Sequence, residues 1–356
     1  MQYKTLGNTG LLVSRICLGT MTFSDGTDFW KHIGMVDQAG ADAMIKTSVE
    51  AGVNFIDTAN LYAFGQAETT LGQSLKNLSI ARKDLVIATK FSSREGPGQN
   101  DVGASRKHIM HAVDASLRRL QTDYIDVYQL HGTDLVTPIE ETLRALDTLI
   151  NQGKVRYIGV SNMHAWRIMR ALGVSQLKNI VKFDSLQAYY SIVSRELERE
   201  IVPLLESRKM GLMVFSPLAG GLLSGKFSRE RQKPEDSRRS ISEFPLVDKE
   251  RTWKVLEVVV PIARERDVSA ATICLAWLLA KPVVTSVIIG AKRMDQLQEN
   301  LAAAEFVLSA DEMKQLDEVS AIPEEYLDWV VSFASRDTGG SIMQLITPVF
   351  PARAPS

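Results

Sequence analysis

The sequence of 356 residues has little cysteine, no excess of basic charge and no long hydrophobic run. Its two cysteines, Cys17 and Cys274, are too few for a disulfide framework, and each lies in an apolar segment, as small buried side chains do. The formal net charge of −1 argues against nucleic acid or an anionic membrane as a partner. Apolar runs such as 255–263 are far shorter than the roughly 20 residues of a membrane helix.

The first ten residues, MQYKTLGNTG, also lack the apolar core of a signal peptide. The composition, with 45% hydrophobic and 23% charged residues, is typical of a soluble globular protein. We therefore expect the protein to reside in a reducing cytoplasm, with no membrane partner.

What the sequence does contain is an alternation of short β-branched runs with longer segments of helical period. The predicted strands are 15–18, 55–57, 85–90, 125–129, 157–160, 184–187, 213–216 and 286–290. The predicted helices are 41–51, 67–76, 106–120, 138–151, 165–172, 195–208 and 270–279. About eight strand–helix repeats predict a parallel sheet. At this length, closure into a (β/α)₈ TIM barrel is favoured over a doubly wound sheet.

We interpret the whole chain, 1–356, as a single barrel domain with additions. Residues 3–6 and 11–13 flank Asn8-Thr9-Gly10 and predict a hairpin that could close the barrel floor. Long segments follow the first strand (23–40) and the seventh (218–248), and a tail runs from 321 to 356. The first two are expected at the catalytic rim, since both follow strands.

Four chemically complementary side chains stand at or just beyond predicted strand ends: Asp57, Tyr62, Lys90 and His131. In parallel barrels, catalytic side chains come from the carboxyl ends of several strands. A phenol is a poor acid at neutral pH, but a nearby ammonium stabilises its phenolate, and Lys90 could supply one. Asp57 could neutralise that lysine, and a histidine can orient a carbonyl oxygen. Together the four predict a proton donor for carbonyl reduction.

Several motifs around these residues resemble the aldo-keto reductase superfamily. They are FIDTANLY followed by ETTLGQSL, then ATK, YQLH, GKVRYIGVSN, FSPLAGGLLSGK and IIGAKRMDQLQEN, in family order as far as about residue 321. The resemblance implies a (β/α)₈ barrel, NADP(H)-dependent interconversion of a carbonyl and an alcohol, and a catalytic tetrad. The tetrad positions of the family match Asp57, Tyr62, Lys90 and His131.

A nicotinamide cofactor is needed for such a reaction, because no protein side chain donates hydride. The sequence has no strand–GxGxxG–helix unit, and the resemblance implies an extended NADP(H) across the barrel mouth instead. The implied cofactor-binding residues are Gly19, Thr20, Met21, Asp57, Ser161, Asn162, Gln187, Phe215, Ser216, Leu218, Gly220, Lys226, Gly290, Lys292, Arg293, Gln296 and Asn300.

By the same resemblance, these residues divide along the cofactor. Ser161, Asn162 and Gln187 would hold the carboxamide, and Phe215 would stack on the nicotinamide ring. The stretch 216–226 would cradle the pyrophosphate under the 218–248 loop. The stretch 290–300 would bind the adenosine end, where two adjacent cations suit a 2′-phosphate and so favour NADP(H) over NAD(H).

Other patterns carry less weight. The stretch GGLLSGK at 220–226 approaches a P-loop but is followed by Phe227 in place of the Mg²⁺-binding Ser or Thr. His108 and His111 stand three apart on a predicted helix without an evident third metal ligand, and we expect a solvent-facing pair. The charge-rich stretch 228–240 lacks interleaved aromatics, which favours a cover over the cofactor rather than a nucleic-acid patch.

Two functions remain open from the sequence. The first is a reductase or dehydrogenase that acts on a small carbonyl or alcohol. The second is a cofactor-sensing regulatory subunit resembling the β-subunits of potassium channels, which share these motifs. A metal-dependent hydrolase is not favoured, because no His-x-His strand is present. Trp30, Tyr326 and Trp329 are the candidate substrate residues, and the tail could also mediate contact within a homo-oligomer.

Overall fold

The computed structural model describes residues 1–26, 30–231, 239 and 243–331, and eight parallel strands in it close into a barrel. Two short strands, β1 (Tyr3–Thr5) and β2 (Leu12–Ser14), precede it. The barrel strands are β3 (Ile16–Gly19), β4 (Phe55–Asp57), β5 (Val86–Phe91), β6 (Ile125–Leu130), β7 (Val155–Ser161), β8 (Ser185–Tyr189), β9 (Gly211–Phe215) and β10 (Val284–Ile289). They pair in chain order, and β10 pairs with β3. The predicted (β/α)₈ barrel is confirmed, and the doubly wound alternative is wrong.

Helices occupy the connections between these strands. In the described residues they are α1 (Trp30–Ile33), α2 (Gln38–Glu50), α3 (Gln66–Asn77), α4 (Arg106–Leu120), α5 (Ile139–Asn151), α6 (Ala165–Lys178), α7 (Ile201–Arg208), α8 (Lys249–Glu265), α9 (Ala270–Ala280), α10 (Met294–Ala302) and α11 (Ala310–Val319). No helix in this part of the chain combines the length and apolar character that a membrane span requires.

The helices follow most of the predicted segments, with several differences, and α6 extends six residues beyond its predicted end at 172. The predicted helix 195–208 is wrong at its start, where Glu196–Glu198 forms a 3₁₀ turn before α7. The prediction also omitted α1, α8 and α11. Of these, α8 buries Trp253, Leu256 and Val259 at helical spacing and begins after the capping side chain of Asp248.

The N-terminal hairpin closes the floor of the barrel, as predicted. The side chains of Leu6 and Val13 are fully buried and pack against interior residues such as Phe55 and Met213. Gly7 has φ +61°, and a Cβ there would lie 2.6 Å from the carbonyl oxygen of Asp184, so only glycine fits this approach. With the floor closed, the carboxyl ends of the strands form the open mouth.

The rim segments are described in part. Segment 23–40 contains α1 and a bridge between Phe23 and Val36, with 27–29 outside the described residues. Most of the predicted cover 228–240 and the tail beyond 331 also lie outside them. The chain divides into two compact units, Met1–Ser320 and Ala321–Ser356.

Candidate active site

The pair of Asp57 and Lys90 lies at the centre of the barrel mouth. Asp57 ends β4 with 2% of its surface exposed, and Lys90 in β5 is fully buried. The Lys90 ammonium donates to Asp57 Oδ2 at 2.5 Å and to the Thr58 carbonyl oxygen at 2.8 Å. Burial alone would lower the pKa of Lys90, but the adjacent Asp57 and Tyr62 outweigh burial and raise it. Lys90 is therefore a cation near neutral pH in this site.

The second carboxylate oxygen of Asp57 is held by two glutamines. Gln187 Nε2 donates to Oδ1 at 2.8 Å, and Gln129 Nε2 donates to the same atom at 3.1 Å. Gln187 is a predicted cofactor residue, and here its amide contacts Asp57, a predicted catalytic residue. Gln129 was missed by the sequence analysis, although it lies opposite Lys90 in the barrel register and two residues before His131. Strand periodicity could have revealed it, since alternate residues share a face.

Tyr62 reaches the pair from an unusual turn. Its hydroxyl oxygen accepts from Lys90 Nζ at 3.1 Å, and the ammonium lies 4.8 Å from the centre of the phenol ring. Three consecutive residues after Tyr62 have left-handed φ values: Ala63 at 48°, Phe64 at 55° and Gly65 at 89°. This conformation costs an L-residue roughly 1–2 kcal/mol. The turn is therefore held in place by its surroundings rather than by backbone preference.

His131 and Trp30 pack against the phenol. The His131 ring meets Tyr62 edge to face at 5.9 Å between centroids, and the Trp30 ring does so at 6.1 Å. Burial, with a contribution from the charge of Lys90, lowers the pKa of His131 to about 3. The imidazole is therefore neutral near pH 7. Ser93 Oγ lies 3.4 Å from its Nδ1.

The structure thus brings all four predicted catalytic residues together, with Trp30 beside them. The other two candidate substrate residues, Tyr326 and Trp329, belong to the second unit, where their rings lie 6.3 Å apart. Their placement against a substrate stays a prediction.

The remaining predicted cofactor residues follow the strand ends around the same mouth. On one side, Thr20 is buried and its amide donates to the Asp57 carbonyl at 2.9 Å, while Met21 packs beside Trp30. A Cβ at Gly19 would lie 2.8 Å from the Ile288 side chain. On the other side, Ser161 ends β7 and accepts from Asn162 Nδ2 at 2.8 Å.

The loop after β9 contains several residues with left-handed backbone conformation. Phe215 is half-buried, with the Tyr189 ring 5.9 Å away. Beyond it, left-handed φ values recur at Ser216, Ala219, Gly220, Gly221 and Gly225. Predicted residue Leu218 lies within this loop, and Lys226 follows it with an exposed side chain.

Arg239 crosses this loop and was missed by the sequence analysis. It is buried, and its Nη1 donates to the carbonyl oxygens of Ala219 (3.1 Å) and Pro245 (2.9 Å). Beside it, a Cβ at Gly220 would lie 2.7 Å from the Phe244 carbonyl oxygen. The loop is therefore closely covered at this point.

The turn between β10 and α10 carries the predicted adenosine-end residues. Gly290 is exposed, and the Lys292 amide donates to Gln296 Oε1 at 3.1 Å. The Lys292 ammonium donates to the His32 carbonyl oxygen in the first rim segment. The exposed Arg293 guanidinium binds Asp295 through Nε and Nη2, and Asn300 is buried.

The prediction that His108 faces solvent is wrong. Only 1% of the residue is exposed, and its Nε2 lies 3.8 Å from Glu95 Oε2. Its position in α4 turns it toward the loop after β5. Within the described residues, no group of three His, Cys, Asp or Glu could hold a metal ion.

Comparison with known proteins places this geometry in a family. The sequence profile of the aldo/keto reductase family matches residues 15–321. A probable voltage-gated potassium channel subunit beta of Arabidopsis thaliana is 39% identical over 313 residues, which cover 86% of this chain and 92% of the relative. The uncharacterized oxidoreductase YrpG of Bacillus subtilis is 34% identical over 327 residues (90% and 96%). Versiconal hemiacetal acetate reductase of Aspergillus parasiticus is 33% identical over 336 residues (89% and 96%).

The family match extends from the first barrel strand to the end of the first unit. Members of the family generally use nicotinamide cofactors, and the relatives named as oxidoreductases support oxidation and reduction of carbonyl and alcohol groups. The chain therefore belongs to the aldo/keto reductase family.

Proposed function

We propose that the protein interconverts a small aldehyde or ketone and its alcohol with NADP(H), using Tyr62 as the general acid and base. One observation carries the proposal: the buried Lys90 ammonium lies within hydrogen-bond distance of both Asp57 and the Tyr62 hydroxyl. A cation in this position stabilises the phenolate that remains when the tyrosine gives up its proton.

In the reducing direction, Tyr62 transfers its hydroxyl proton to the carbonyl oxygen as negative charge develops there. A nicotinamide cofactor, when bound, would supply the hydride that the carbonyl carbon receives. Lys90 stabilises the resulting phenolate, and Asp57 keeps the lysine in place and compensates its charge. In the oxidising direction the phenolate accepts the proton of the alcohol, so the same residues serve both directions.

His131 orients the substrate as a neutral hydrogen-bond donor. Because its pKa lies near 3, protonation does not add a second charge beside Lys90 near neutral pH. When the Ser93 hydroxyl donates to Nδ1, the ring proton lies on Nε2, which can then donate to the carbonyl oxygen. Trp30 lies beside Tyr62 and would form an apolar wall for the substrate.

The residues present fit an extended nicotinamide dinucleotide. Asn162 and Ser161 offer polar groups for the carboxamide, Phe215 offers a ring face, and the loop 216–225 offers its backbone to the pyrophosphate. Lys292 and Arg293 would bind a 2′-phosphate, which favours NADP(H). Arg293 must then exchange its contact with Asp295 for the phosphate.

Replacing Arg293 by alanine should raise the KM for NADPH by about tenfold or more and change the KM for NADH little. The guanidinium faces the 2′-phosphate in this proposal, and NADH lacks that group. Steady-state kinetics with both cofactors measure the effect. Arg208→Ala is a matched control, because it removes an exposed arginine at the end of α7, away from the barrel mouth. Equal losses with both cofactors in Arg293→Ala would contradict the NADP(H) assignment.

A cofactor-sensing regulatory subunit is the second candidate. It is supported by the relatives in Arabidopsis thaliana and Oryza sativa that are named probable voltage-gated potassium channel subunits beta, at 39% and 38% identity. The four catalytic residues do not separate the two functions, because both have them by resemblance.

A substrate panel distinguishes the two candidates. We expect NADPH to be consumed with at least one aldehyde or ketone, and NADP⁺ to be reduced with the matching alcohol, at turnover numbers of about 1 per second or more. The absence of turnover with every carbonyl and alcohol, despite tight NADPH binding, would favour sensing. The cytoplasmic location and a homo-oligomeric state stay predictions that fractionation and analytical ultracentrifugation can check.

A further inference from the structure

We propose that Glu68 is a positioning residue for Tyr62, and that it acts through Thr89 and Arg119 on the left-handed turn that carries the phenol. The proposal rests on the proposed role of Tyr62 as general acid. The three residues lie outside the barrel lumen, and none of them belongs to the catalytic or cofactor-binding set described above.

Glu68 is a charged residue with no exposed surface, in the first turn of α3. Its Oε1 accepts from the Thr89 hydroxyl at 2.5 Å, and its Oε2 accepts from Arg119 Nε at 2.7 Å. Burial alone would lower the pKa of Arg119, but Glu68 and then Glu95 outweigh burial and raise it. Arg119 is therefore a cation beside the Glu68 carboxylate. Acidic residues are almost never fully buried unless they are paired, and loss of Arg119 would leave the Glu68 carboxylate buried without a charged partner.

Thr89 connects Glu68 to the strand of the catalytic lysine. Successive side chains of a strand point to opposite faces, so Lys90 points into the lumen and Thr89 points out toward the helices. The hydroxyl of Thr89 thus ties the outer face of β5 to the start of α3. That helix begins directly after the turn of Tyr62.

Arg119 supports the same turn from outside. A Cβ at Gly65 would lie 2.7 Å from Arg119 Cδ and 2.8 Å from Arg119 Nε, so the guanidinium end packs directly on the backbone of Gly65. The turn is strained at Ala63 and Phe64, two non-glycine residues in the left-handed region, and such a conformation persists only when its surroundings hold it. Arg119 Nη2 also donates to Glu95 Oε1 at 3.2 Å, so Glu95 is the carboxylate partner that remains when Glu68 loses its charge.

The network formed by Thr89, Glu68 and Arg119 therefore sets the distance between Lys90 Nζ and Tyr62 Oη. Lys90 Nζ is fixed by β5 and Asp57, and Tyr62 Oη is fixed by the turn, so their 3.1 Å separation depends on how the turn is held against β5. Glu68 contacts β5 through Thr89 and the turn of Tyr62 through Arg119. The predicted cofactor residues from Ser161 onward follow other strands, so the network should affect the proton donor more than cofactor binding.

The first test is Glu68→Gln, which keeps the shape and an acceptor for Thr89 but removes the charge that holds Arg119. We expect kcat to fall about tenfold to a hundredfold, with the Kd for NADPH changed less than about twofold. The alkaline limb of the kcat/KM profile for carbonyl reduction should move to higher pH, because a more distant ammonium stabilises the phenolate less. A purely structural defect would lower activity without moving this limb.

A second pair of variants tests whether the effects arise from the lost contact rather than from misfolding. Thr89→Val removes the hydroxyl at constant shape and should reproduce both effects, whereas Thr89→Ser keeps the hydroxyl and should retain activity. Glu140→Gln is the matched control, since it removes one carboxylate charge from an exposed ion pair with Arg144. Circular dichroism and urea unfolding verify that each variant is folded before its kinetics are read.

An ultraviolet titration measures the ionisation of the Tyr62 phenol in the absence of substrate. The absorbance of each variant is compared with that of the same variant carrying Tyr62→Phe in addition, so that the difference reports Tyr62 alone. We expect the Tyr62 ionisation to shift upward in Glu68→Gln and in Thr89→Val. Folded variants with unchanged kcat and unchanged Tyr62 ionisation would overturn the positioning role. Normal turnover in Tyr62→Phe alone would instead overturn the proposed function, while the titration would still decide the role of Glu68.

Discussion

Replacing Tyr62 by phenylalanine should lower kcat by about two to four orders of magnitude and leave the Kd for NADPH nearly unchanged. Phenylalanine keeps the ring that packs against Trp30 and His131 but removes the proton and the acceptor for Lys90. The expected loss is the contribution of a well-placed general acid. Steady-state kinetics with the best substrate of the panel, together with fluorescence titration of NADPH, separate the two quantities.

The matched control for this variant is Tyr3→Phe. It removes the same hydroxyl from a tyrosine at the barrel floor, where the group donates to the Gly52 carbonyl oxygen. We expect that variant to retain full turnover. If Tyr62→Phe kept turnover within about tenfold of the parent, another group would be the proton donor, and the role assigned to Tyr62 would be wrong.

Replacing Asp57 by asparagine should destabilise the fold by about 3–5 kcal/mol as well as reduce turnover. Lys90 has no exposed surface, and its only ion-pair partner within the described residues is Asp57. Asparagine leaves that ammonium buried without a compensating charge. Breaking a buried ion pair is strongly destabilising because one uncompensated charge remains in the interior. The loss is measured from the unfolding midpoint and slope in urea.

The double variant Asp57→Asn with Lys90→Met provides the internal control. Removing both charges eliminates the uncompensated cation, so most of the lost stability should return, while turnover stays low. This pattern would show that the two residues act as a unit in folding and that turnover requires the intact pair. If Asp57→Asn alone were as stable as the parent, the ammonium would be compensated by something other than Asp57.

The meeting of Asp57, Tyr62, Lys90 and His131 at one mouth was predictable from strand periodicity and barrel geometry. The predicted strand 55–57 agrees with β4, and the predicted helix 106–120 agrees with α4. Since the carboxyl ends of parallel strands meet at one mouth, residues distant in sequence could be placed together without coordinates. The resemblance to the family then gave each residue a role.

The supporting contacts were not predictable for a physical reason. Sequence spacing indicates which face a side chain occupies but not which distant side chain it meets. Glu68 and Arg119 are 51 positions apart on two helices, and their ion pair depends on how α3 and α4 pack. In the same way, the burial of His108 and the pairing of Arg293 with Asp295 follow from local packing and side-chain geometry.

By itself, the sequence determined the barrel, its closed floor, the family and the four residues that meet at the mouth, because these follow from periodic patterns and short motifs. Only the tertiary structure decided how the phenol is aimed at Lys90. The left-handed turn after Tyr62 opposes the intrinsic preference of Ala63 and Phe64, so it exists only through the packing around it. Tertiary packing also decides the contacts of the two glutamines with Asp57 and the buried Glu68–Arg119 pair, since each joins residues from different strands or helices.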